Sequence, residues 1–298
     1  MLMMIALKAA TPQLPRTTAV ADHVVAVDET DSTNALAVQM IGDGSLTLPD
    51  HQDGELAVAV VAADRQTAGR GRNGHKWVSQ PGRCSTMSYA VRIPRAIATD
   101  ESVNGWLQMI AGLVTLDALN GMIEEYGAAP NQPDCSLELK WPNDVFCHGL
   151  KLGGLLSELV LLPDGEADDD DVVVVFGVGL NLALGASRLP TPQSTSLQLH
   201  VSGLPSFNEM RDAVAEREVE GFRERLAAFI ADPHGQAEAL REEMKAVCWA
   251  RGRQIEAHFT DGTTLIGEAI GLNGDASLIL RTEDGTDHTV RTADVGVL

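Results

Sequence analysis

The sequence is poor in cysteine. Its 298 residues contain four cysteines, and no two of them form a C-x-x-C pair. Their surroundings are not those of a small disulfide-stapled domain, so that class is excluded. We therefore expect free thiols and a cytoplasmic, reducing location. The four are Cys84, Cys135, Cys147 and Cys248.

Basic residues are also scarce, since 22 Lys and Arg face 42 Asp and Glu and give a formal net charge of −20. A nucleic-acid-binding domain normally carries a basic face, so this balance argues against a DNA or RNA binder. The densest acidic cluster lies between two apolar runs. Its position favours the solvated tip of a hairpin over a metal site. Its members are Asp164, Glu166 and Asp168–Asp171.

Long apolar runs are absent as well, and aromatic residues are scarce. No run approaches the roughly 18 apolar residues that a membrane span needs. The N-terminal stretch MLMMIALKAATPQLPRTT lacks a basic beginning and a cleavage site, which predicts a loose arm and not a signal peptide. Aromatics make up 4% of the chain and hydrophobic residues 44%. This composition favours an aliphatic-rich α/β or α+β interior.

Apolar periodicity divides the chain into three parts: an arm over 1–22, a large domain over 23–248 and a small one over 249–298. Within the large domain, helical spacing over 102–126 predicts a long core helix. After Trp249, short strands are separated by Asp-Gly and Asn-Gly turn signals, which predict a small β-barrel. The other strands are expected at 23–29, 55–64, 84–93 and within 137–182, and the other helices at 31–44, 206–231 and 235–248.

The stretch GRGRNG, Gly69–Gly74, has the spacing G-x-G-x-x-G of a dinucleotide-binding turn. That turn needs a helix directly after the glycines, but HKWVSQPGRCS follows and begins no helix. No Gly-Lys-Ser/Thr follows either, so a P-loop is excluded. A glycine-rich loop remains, in which Arg70 and Arg72 can bind phosphate or carboxylate oxygens. A basic surface hairpin is the alternative.

A second candidate is Lys151, at the entrance of a strand over 149–162 that is apolar on both faces and therefore predicted to be central. Strict alternation places Lys151 on the face of Gly153 and Leu155. A buried ammonium group requires an anionic partner, and the Gly153-Gly154 pair leaves room for a ligand. The alternative is that Lys151 reaches water at the end of the strand.

Two further segments carry polar side chains at the ends of strands. The turn KWPND offers Asp144 as a hydrogen-bond acceptor near Lys151, although an aspartate can also bond the backbone of its own turn. The stretch GVGLNL ends a buried strand with two glycines and then Asn181, where backbone and side chain could meet a ligand.

Four sequence motifs, taken together with their order along the chain, resemble those of the biotin protein ligases. The resemblance spans residues from about 23 to 298. It implies an α+β catalytic domain on a mixed β-sheet, related to class II aminoacyl-tRNA synthetases, followed by an SH3-like barrel. The biotin- and ATP-binding domain would then be 23–248. The motifs are DSTN (31–34), ADRQTAGRGRNGHKW (63–77), LKWPNDVFCHGLKLGGLLSEL (139–159) and GVGLNL (177–182).

The resemblance implies an enzyme that uses Mg²⁺ and ATP to convert biotin to biotinyl-5′-AMP. Biotin would then pass to one lysine of the biotin carboxyl carrier domain of an acetyl-CoA, acyl-CoA or pyruvate carboxylase. No DNA partner is expected, because about 22 residues before the first strand are too few for the helix-turn-helix domain of some relatives. No membrane partner is expected either, because the sequence has no long apolar run. A homodimer is compatible with the family. A lipoate or octanoate ligase and a non-enzymatic biotin sensor are the alternatives.

The resemblance also implies roles for individual residues on the biotin side of the pocket. Ser32 and Thr33 would bind the ureido ring, and Gln66 would line the same pocket. Asn34 completes the DSTN motif and belongs to the same binding set.

On the adenylate side, Gly69, Arg70, Gly71 and Arg72 would belong to a loop that closes over the intermediate. Lys151 would contact the biotin carboxylate and the α-phosphate, with Arg70 and Arg72 as further catalytic residues. His75 stands where many relatives have arginine, and Arg65 where an aromatic can occur, so details of the loop are less well defined. The remaining expected binding residues are Trp77 beside the adenylate, Asn143 and Asp144 on the ATP and metal side, Gly153 and Gly154 beside Lys151, and Asn181.

Overall fold

A computed structural model describes residues 8–49, 56–133, 135–162 and 171–297. Most of the acidic cluster at 164–171 lies outside this part of the chain. The helices of the described part are α1 Pro15–Val20, α2 Thr33–Gly42, α3 Arg95–Ala98, α4 Gly105–Glu125, α5 Phe207–Ala231 and α6 Pro233–Val247. The strands are β1 His23–Thr30, β2 Val58–Gln66, β3 Cys84–Pro94, β4 Ala129–Pro130, β5 Leu137–Lys140, β6 Asp144–Cys147, β7 Leu150–Leu161, β8 Asp171–Asn181, β9 Val201–Ser202, β10 Gln254–His258, β11 Thr264–Leu272, β12 Leu278–Arg281, β13 Asp287–Val290 and β14 Asp294–Val297.

Seven strands form one mixed sheet in the order β1-β2-β3-β8-β7-β6-β5. The pair β1 and β2 is parallel, whereas the other neighbours are antiparallel. The predicted mixed sheet is therefore confirmed. Strand β7 lies between β8 and β6, which confirms the central position that its apolar sequence predicted.

Both faces of this sheet are covered, because its strands contribute alternate residues to two hydrophobic clusters. Val58 and Val60 of β2 belong to the larger cluster with α4 and α5, whereas Ala59 and Val61 belong to the smaller one with α2. This is the expected consequence of the two-residue repeat of a strand. The sheet is therefore packed on both faces, with helices α4 and α5 on one side and α2 on the other.

Helix α4 is long and apolar enough to cross a membrane, contrary to the expectation that no segment of the chain approaches that length. However, 72% of its most apolar window is buried inside the protein. Trp106, Ile110 and Leu113 are each at most 1% exposed. The helix is therefore the predicted core helix, and its apolar side chains pack against the sheet and α5.

The C-terminal strands form an antiparallel sheet in the order β13-β12-β11-β10-β14. Among the described residues no pairing joins β13 to β14, so the expected barrel is instead a small, open β domain. It shares the larger hydrophobic cluster with the main sheet. Two indole groups also donate to its backbone, Trp106 Nε1 to Gly274 O at 2.6 Å and Trp141 Nε1 to Ala276 O at 3.0 Å.

The N-terminal arm is not loose over its described residues. It forms α1, in which Thr17 is buried, and Leu14, the residue before the helix, is buried as well. Asp212 of α5 accepts hydrogen bonds from the backbone N–H groups of Arg16 and Thr17, both at 3.0 Å. These are N–H groups that a helix leaves without internal partners, so Asp212 caps α1 from another helix. The division into three parts, with boundaries at 22/23 and 248/249, stays a prediction.

Candidate functional site

A cavity of about 410 Å³ brings together segments from six parts of the chain. It lies where α2, the loop after β2 and the strands β7 and β8 meet. Of the predicted site residues, Gly69, Gly153 and Asn181 do not line it. Those that do are Ser32, Thr33, Asn34, Gln66, Arg70, Gly71, Arg72, Trp77, Asn143, Asp144, Lys151 and Gly154.

The start of α2 presents a hydroxyl to the cavity. Ser32 is the N-cap residue, but its side chain makes no capping bond. Instead, Gln66 Oε1 from β2 accepts from Thr33 N at 2.7 Å and lies 3.1 Å from Thr33 Oγ1. Since Gln66 satisfies the first N–H of the helix, the hydroxyl of Ser32 is left for a ligand.

Asn34 lines the cavity, yet its side chain is bonded to protein at both ends. Its Oδ1 accepts from Ser88 Oγ at 2.6 Å, and its Nδ2 donates to Leu156 O at 3.0 Å. A Cβ on Gly177 would lie 2.3 Å from Asn34 Oδ1, so only glycine fits there. Asn34 therefore fastens α2 to β7, and the structure assigns it a positioning role.

The glycine-rich loop is a hairpin with one turn of 3-10 helix at 72–74, and no α-helix follows it. Trp77 N donates to Gly69 O at 2.9 Å, and Gly71 N donates to His75 O at 2.8 Å. A Cβ on Gly69 would lie 2.6 Å from Trp77 O, so glycine is required where the arms meet. The structure thus confirms that this motif is not a dinucleotide-binding turn.

The two arginines of the hairpin differ in their surroundings. Arg70 is half-exposed and its Nη2 lies 3.4 Å from Glu158 Oε1. Arg72 is half-buried, its Nη1 is buried without a hydrogen-bond partner, and burial lowers the pKa of its guanidinium. A buried donor without a partner is costly, so Arg72 is arranged to meet an acceptor from outside the chain.

Trp77 supplies a second donor of this kind. Its Nε1 is buried and has no hydrogen-bond partner in the described part of the chain. The indole lies against β8, where a Cβ on Gly179 would be 2.5 Å from Trp77 Cε2. The glycines of GVGLNL therefore make room for protein side chains, Asn34 at Gly177 and Trp77 at Gly179.

Lys151 lies at the entrance of β7 and pairs with Asp144, with 2.6 Å between Nζ and Oδ1. A Cβ on Gly154 would be 3.4 Å from Lys151 Nζ, whereas one on Gly153 would be 2.6 Å from Gly179 O of β8. The prediction that Lys151 shares its face with Gly153 was wrong. A bulge opposite Val145 and Phe146 adds a residue to β7 and changes the alternation.

Two asparagines hold this strand in place. Asn143 Nδ2 donates to Leu155 O at 2.8 Å, and Leu155 N donates to Asn143 O at 2.8 Å. Asn181 lies outside the cavity, where its Nδ2 donates to Thr195 O at 3.0 Å. Thr195 N in turn donates to Lys151 O at 2.8 Å, so Asn181 is one residue removed from the backbone of Lys151.

Sequence reasoning missed two charged residues of the cavity. Lys140 lies directly before WPND, and this position beside a predicted binding turn is a signal that could have identified it. Burial lowers the pKa of its ammonium group, which stands 5.2 Å from the centre of the Phe146 ring. Asp294 comes from β14 and accepts from Asn73 Nδ2 of the loop at 3.1 Å. No local pattern marks Asp294, because its partner is 221 residues away.

The cavity therefore combines five cations with neutral donors and two carboxylates. The positive charge of Arg70, Arg72, Lys76, Lys140 and Lys151 exceeds the negative charge of Asp144 and Asp294. In a chain of net charge −20, such a local excess of cations favours an anionic ligand. A ligand that joins a carboxylate or phosphate to a polar, uncharged group would match both the cations and Ser32.

Comparison with known proteins gives a consistent result. Residues 48–177 match the model of the biotin/lipoate A/B protein ligase family. A biotin–[acetyl-CoA-carboxylase] ligase of Mycobacterium tuberculosis is 27% identical over 254 residues, which cover 85% of this chain and 81% of the relative. One of the same name from Paracoccus denitrificans is 34% identical over 154 residues, 52% of each chain.

Solved structures agree with the fold. The biotin protein ligase from Aquifex aeolicus, in complex with biotin and ATP, superposes with a TM-score of 0.64. The superposition covers 93% of this chain and 100% of that one, at 22% sequence identity. At this identity the similarity establishes the architecture.

Proposed function

We propose that this chain, whose residues 48–177 match the biotin/lipoate A/B protein ligase family, is a ligase that activates biotin with ATP and transfers it to a carrier lysine. In the first step a carboxylate oxygen of biotin attacks the α-phosphorus of ATP. The α–β phosphoanhydride bond breaks, and biotinyl-5′-AMP and pyrophosphate form. In the second step the lysine amine attacks the acyl carbon, and AMP leaves as an amide forms.

The observation that carries this proposal is the meeting of cations and unpartnered donors in one cavity. Arg72 Nη1 and Trp77 Nε1 are both buried there without hydrogen-bond partners. An adenylate offers phosphate oxygens for the first and further acceptor atoms for the second. Burial strengthens such interactions because little water competes with them.

Lys151 is the residue that best fits the reacting groups. A carboxylate and a triphosphate repel each other, so a compact cation is needed between them. The Lys151 side chain is 38% exposed, and its Nζ pairs with Asp144. Asp144 therefore orients the ammonium group while leaving it open to the cavity. It would stabilise the negative charge that accumulates as the new oxygen–phosphorus bond forms.

Ser32 and Gln66 support the assignment of biotin. A ureido ring presents one carbonyl acceptor and two N–H donors, so it requires polar groups that are not already bonded to protein. The Ser32 hydroxyl meets that requirement, and Gln66 and Thr33 fix its surroundings. Asn34 would act by positioning α2.

Magnesium belongs to this proposal through the chemistry of the donors. Mg²⁺ prefers oxygen ligands and is usually held by one or two carboxylates together with substrate phosphates. Asp144 and Asp294 are the carboxylates that line the cavity, so they fit an ion that would arrive with ATP. When bound, the ion would neutralise charge on the phosphate oxygens.

The hairpin of residues 69–77 would shield the intermediate. A mixed anhydride is labile to water, so a loop that closes over it protects the product of the first step. Arg72 would hold phosphate oxygens from above, and Arg70 is anchored to Glu158 on β7. The carrier is proposed to be a biotin carboxyl carrier domain in the cytoplasm.

Biotin-dependent exchange of labelled pyrophosphate into ATP tests the first step. We expect exchange by the wild-type protein, and a loss on the order of 10²–10³-fold in Lys151→Ala because one charge at the reacting atoms is removed. The exposed Lys245→Ala is the matched control and should keep the wild-type rate.

Near wild-type exchange by Lys151→Ala would contradict the role of this lysine. Exchange driven by lipoate or octanoate but not by biotin would support the rival acyl ligase. Binding of biotin without any exchange would support a sensor. Transfer of biotin to a purified carrier domain then tests the second step.

A further inference from the structure

A second cluster of reactive side chains lies outside the cavity and has no part in the proposed reaction. Cys135, His148 and His200 each offer one donor atom, and these three atoms lie within 4.8 Å of one another. None of the three residues lines the 410 Å³ cavity. One sulfur and two imidazole nitrogens form a set that zinc and related metals prefer.

The fold itself brings these residues together from distant segments. Cys135 lies two residues before the start of β5, and His148 follows β6, whose Cys147 pairs with Leu137 of β5. His200 precedes β9, and its carbonyl accepts from Asn131 N at 2.7 Å. The cluster therefore joins three chain segments at one edge of the molecule, as structural metal sites do.

Both histidine rings are held by polar side chains. His148 Nε2 lies 2.8 Å from Gln132 Oε1, and His200 Nε2 lies 2.6 Å from Thr195 Oγ1. Metal-binding histidines commonly have such a hydrogen bond at the ring nitrogen away from the metal, which fixes the ring and its tautomer. Both rings are thus held by polar side chains, as the rings of metal-binding histidines commonly are.

We propose that Cys135, His148 and His200 bind one Zn²⁺ ion. Tetrahedral zinc, with Zn–S of about 2.3 Å and Zn–N of about 2.0–2.1 Å, places its ligand atoms roughly 3.3–3.6 Å apart. Donors within 4.8 Å reach that geometry by small side-chain movements. Cys147 Sγ lies 3.4 Å from Cys135 Sγ and is the nearest further thiol.

The ion would brace the backbone that carries Lys151. His148 is three residues before Lys151, in the turn between β6 and β7. His200 contacts Thr195, and Thr195 N donates to Lys151 O at 2.8 Å. Bound zinc would therefore tie together the two segments that hold the entrance of β7, independently of the proposed reaction.

Cobalt titration of the full-length, reduced and metal-free protein tests the site. We expect one equivalent of Co²⁺ to bind, to give a thiolate-to-cobalt charge-transfer absorption, and to be displaced by Zn²⁺. Cys135→Ser should abolish that absorption. Thr195→Ala, which removes an outer-shell partner, should weaken binding about 10- to 100-fold. Cys248→Ser, a cysteine outside the cluster, is the control and should bind as the wild type does.

Hydrogen exchange gives a readout that does not depend on activity. Zn²⁺ should slow exchange at the amides of Lys151 and Thr195 in the wild-type protein and leave it unchanged in His200→Asn. Three results would overturn the proposal: no charge-transfer band, a band that persists in Cys135→Ser (an adventitious ion only), or a Cys135–Cys147 disulfide whose reduction gives no metal uptake. If Cys135→Ser does not fold, His148→Asn and His200→Asn carry the test.

Discussion

At the scale of single residues, the site is defined by donors that the protein itself leaves without partners. Arg72 and Trp77 each bury a hydrogen-bond donor that no described residue satisfies. Most buried polar groups are paired, so two unpaired donors in one cavity point to a ligand with acceptor atoms. Lys151 differs, because Asp144 already holds it.

Arg72→Ala should therefore affect the intermediate. On the basis of the proposed function, we expect biotin-dependent pyrophosphate exchange to fall on the order of 100-fold. We also expect free biotinyl-AMP to appear in solution, because the loop loses its contact with the phosphate. Arg72→Lys should restore pyrophosphate exchange and retention of the adenylate only in part, since an ammonium group lacks the planar fork of arginine. Full retention of the adenylate by Arg72→Ala would refute the role of the loop, and the exposed Arg65→Ala is the control.

Some residues were predictable and others were not. Lys151 stands out because an ammonium group in an apolar strand requires a reason. Asn181 also followed from its place after a buried strand, but its amide serves Thr195 and not the cavity. The chain shows where a polar side chain sits along a strand, whereas its partners depend on neighbours from other segments.

At the scale of elements, the hairpin of residues 69–77 is connected to the C-terminal sheet. Asn73 donates to Asp294, His75 Nε2 lies 3.5 Å from the same carboxylate, and Asp294 favours the charged form of Arg72. One carboxylate on β14 thus holds a hairpin that belongs to the other sheet. This contact provides a means of keeping the loop closed.

Asp294→Asn should loosen that contact. We expect faster hydrogen exchange at residues 69–77, because the mutant loses the charge that attracts both Arg72 and His75. Glu283→Gln, in the turn between β12 and β13 of the same small domain, is the control and should leave exchange in the loop unchanged. If Asp294→Asn exchanges at the wild-type rate, Asp294 is not what holds the loop closed.

Strand alternation shows the limit of pattern reading at this scale. The apolar residues of β7 correctly predicted a central strand, because that depends only on composition. The face of Lys151 was mispredicted, because a bulge depends on how β6 and β7 pair. The added residue reverses which of the following residues of β7 face the cavity. As a result, Gly154 and not Gly153 lies beside the Lys151–Asp144 ion pair.

At the scale of the whole molecule, a buried carboxyl group connects the main sheet with two helices. Glu218 of α5 is bonded to Tyr89 of β3 and, at 3.0 Å, to Thr115 of α4. Burial raises the pKa of Glu218 to about 7, against its ordinary value of 4.5. The protonated acid is the form that this interior favours.

The stability of the protein should therefore depend on pH between those values. Below pH 4.5 this group is protonated in both states and its contribution to stability is fully present. As the pH rises towards 7, the unfolded state loses its proton first, so the free energy of unfolding falls by up to ~1.4 kcal/mol per pH unit. In Glu218→Gln, denaturant titrations across this range should lose that slope, and an unchanged slope would assign it to other groups.

The sequence alone predicted most of the elements and the resemblance to the biotin protein ligases. Periodicity predicted the helix α4, the missing helix after Gly74 excluded a dinucleotide-binding turn, and four motifs in order indicated the resemblance, which implied the mixed sheet. Each of these depends on neighbours within a few residues or on the order of segments. Only the tertiary structure brought Asp294 to the loop and Cys135 to His200, and showed an open sheet in place of a barrel. Such contacts join residues that are distant in the chain, and they form only when whole elements pack.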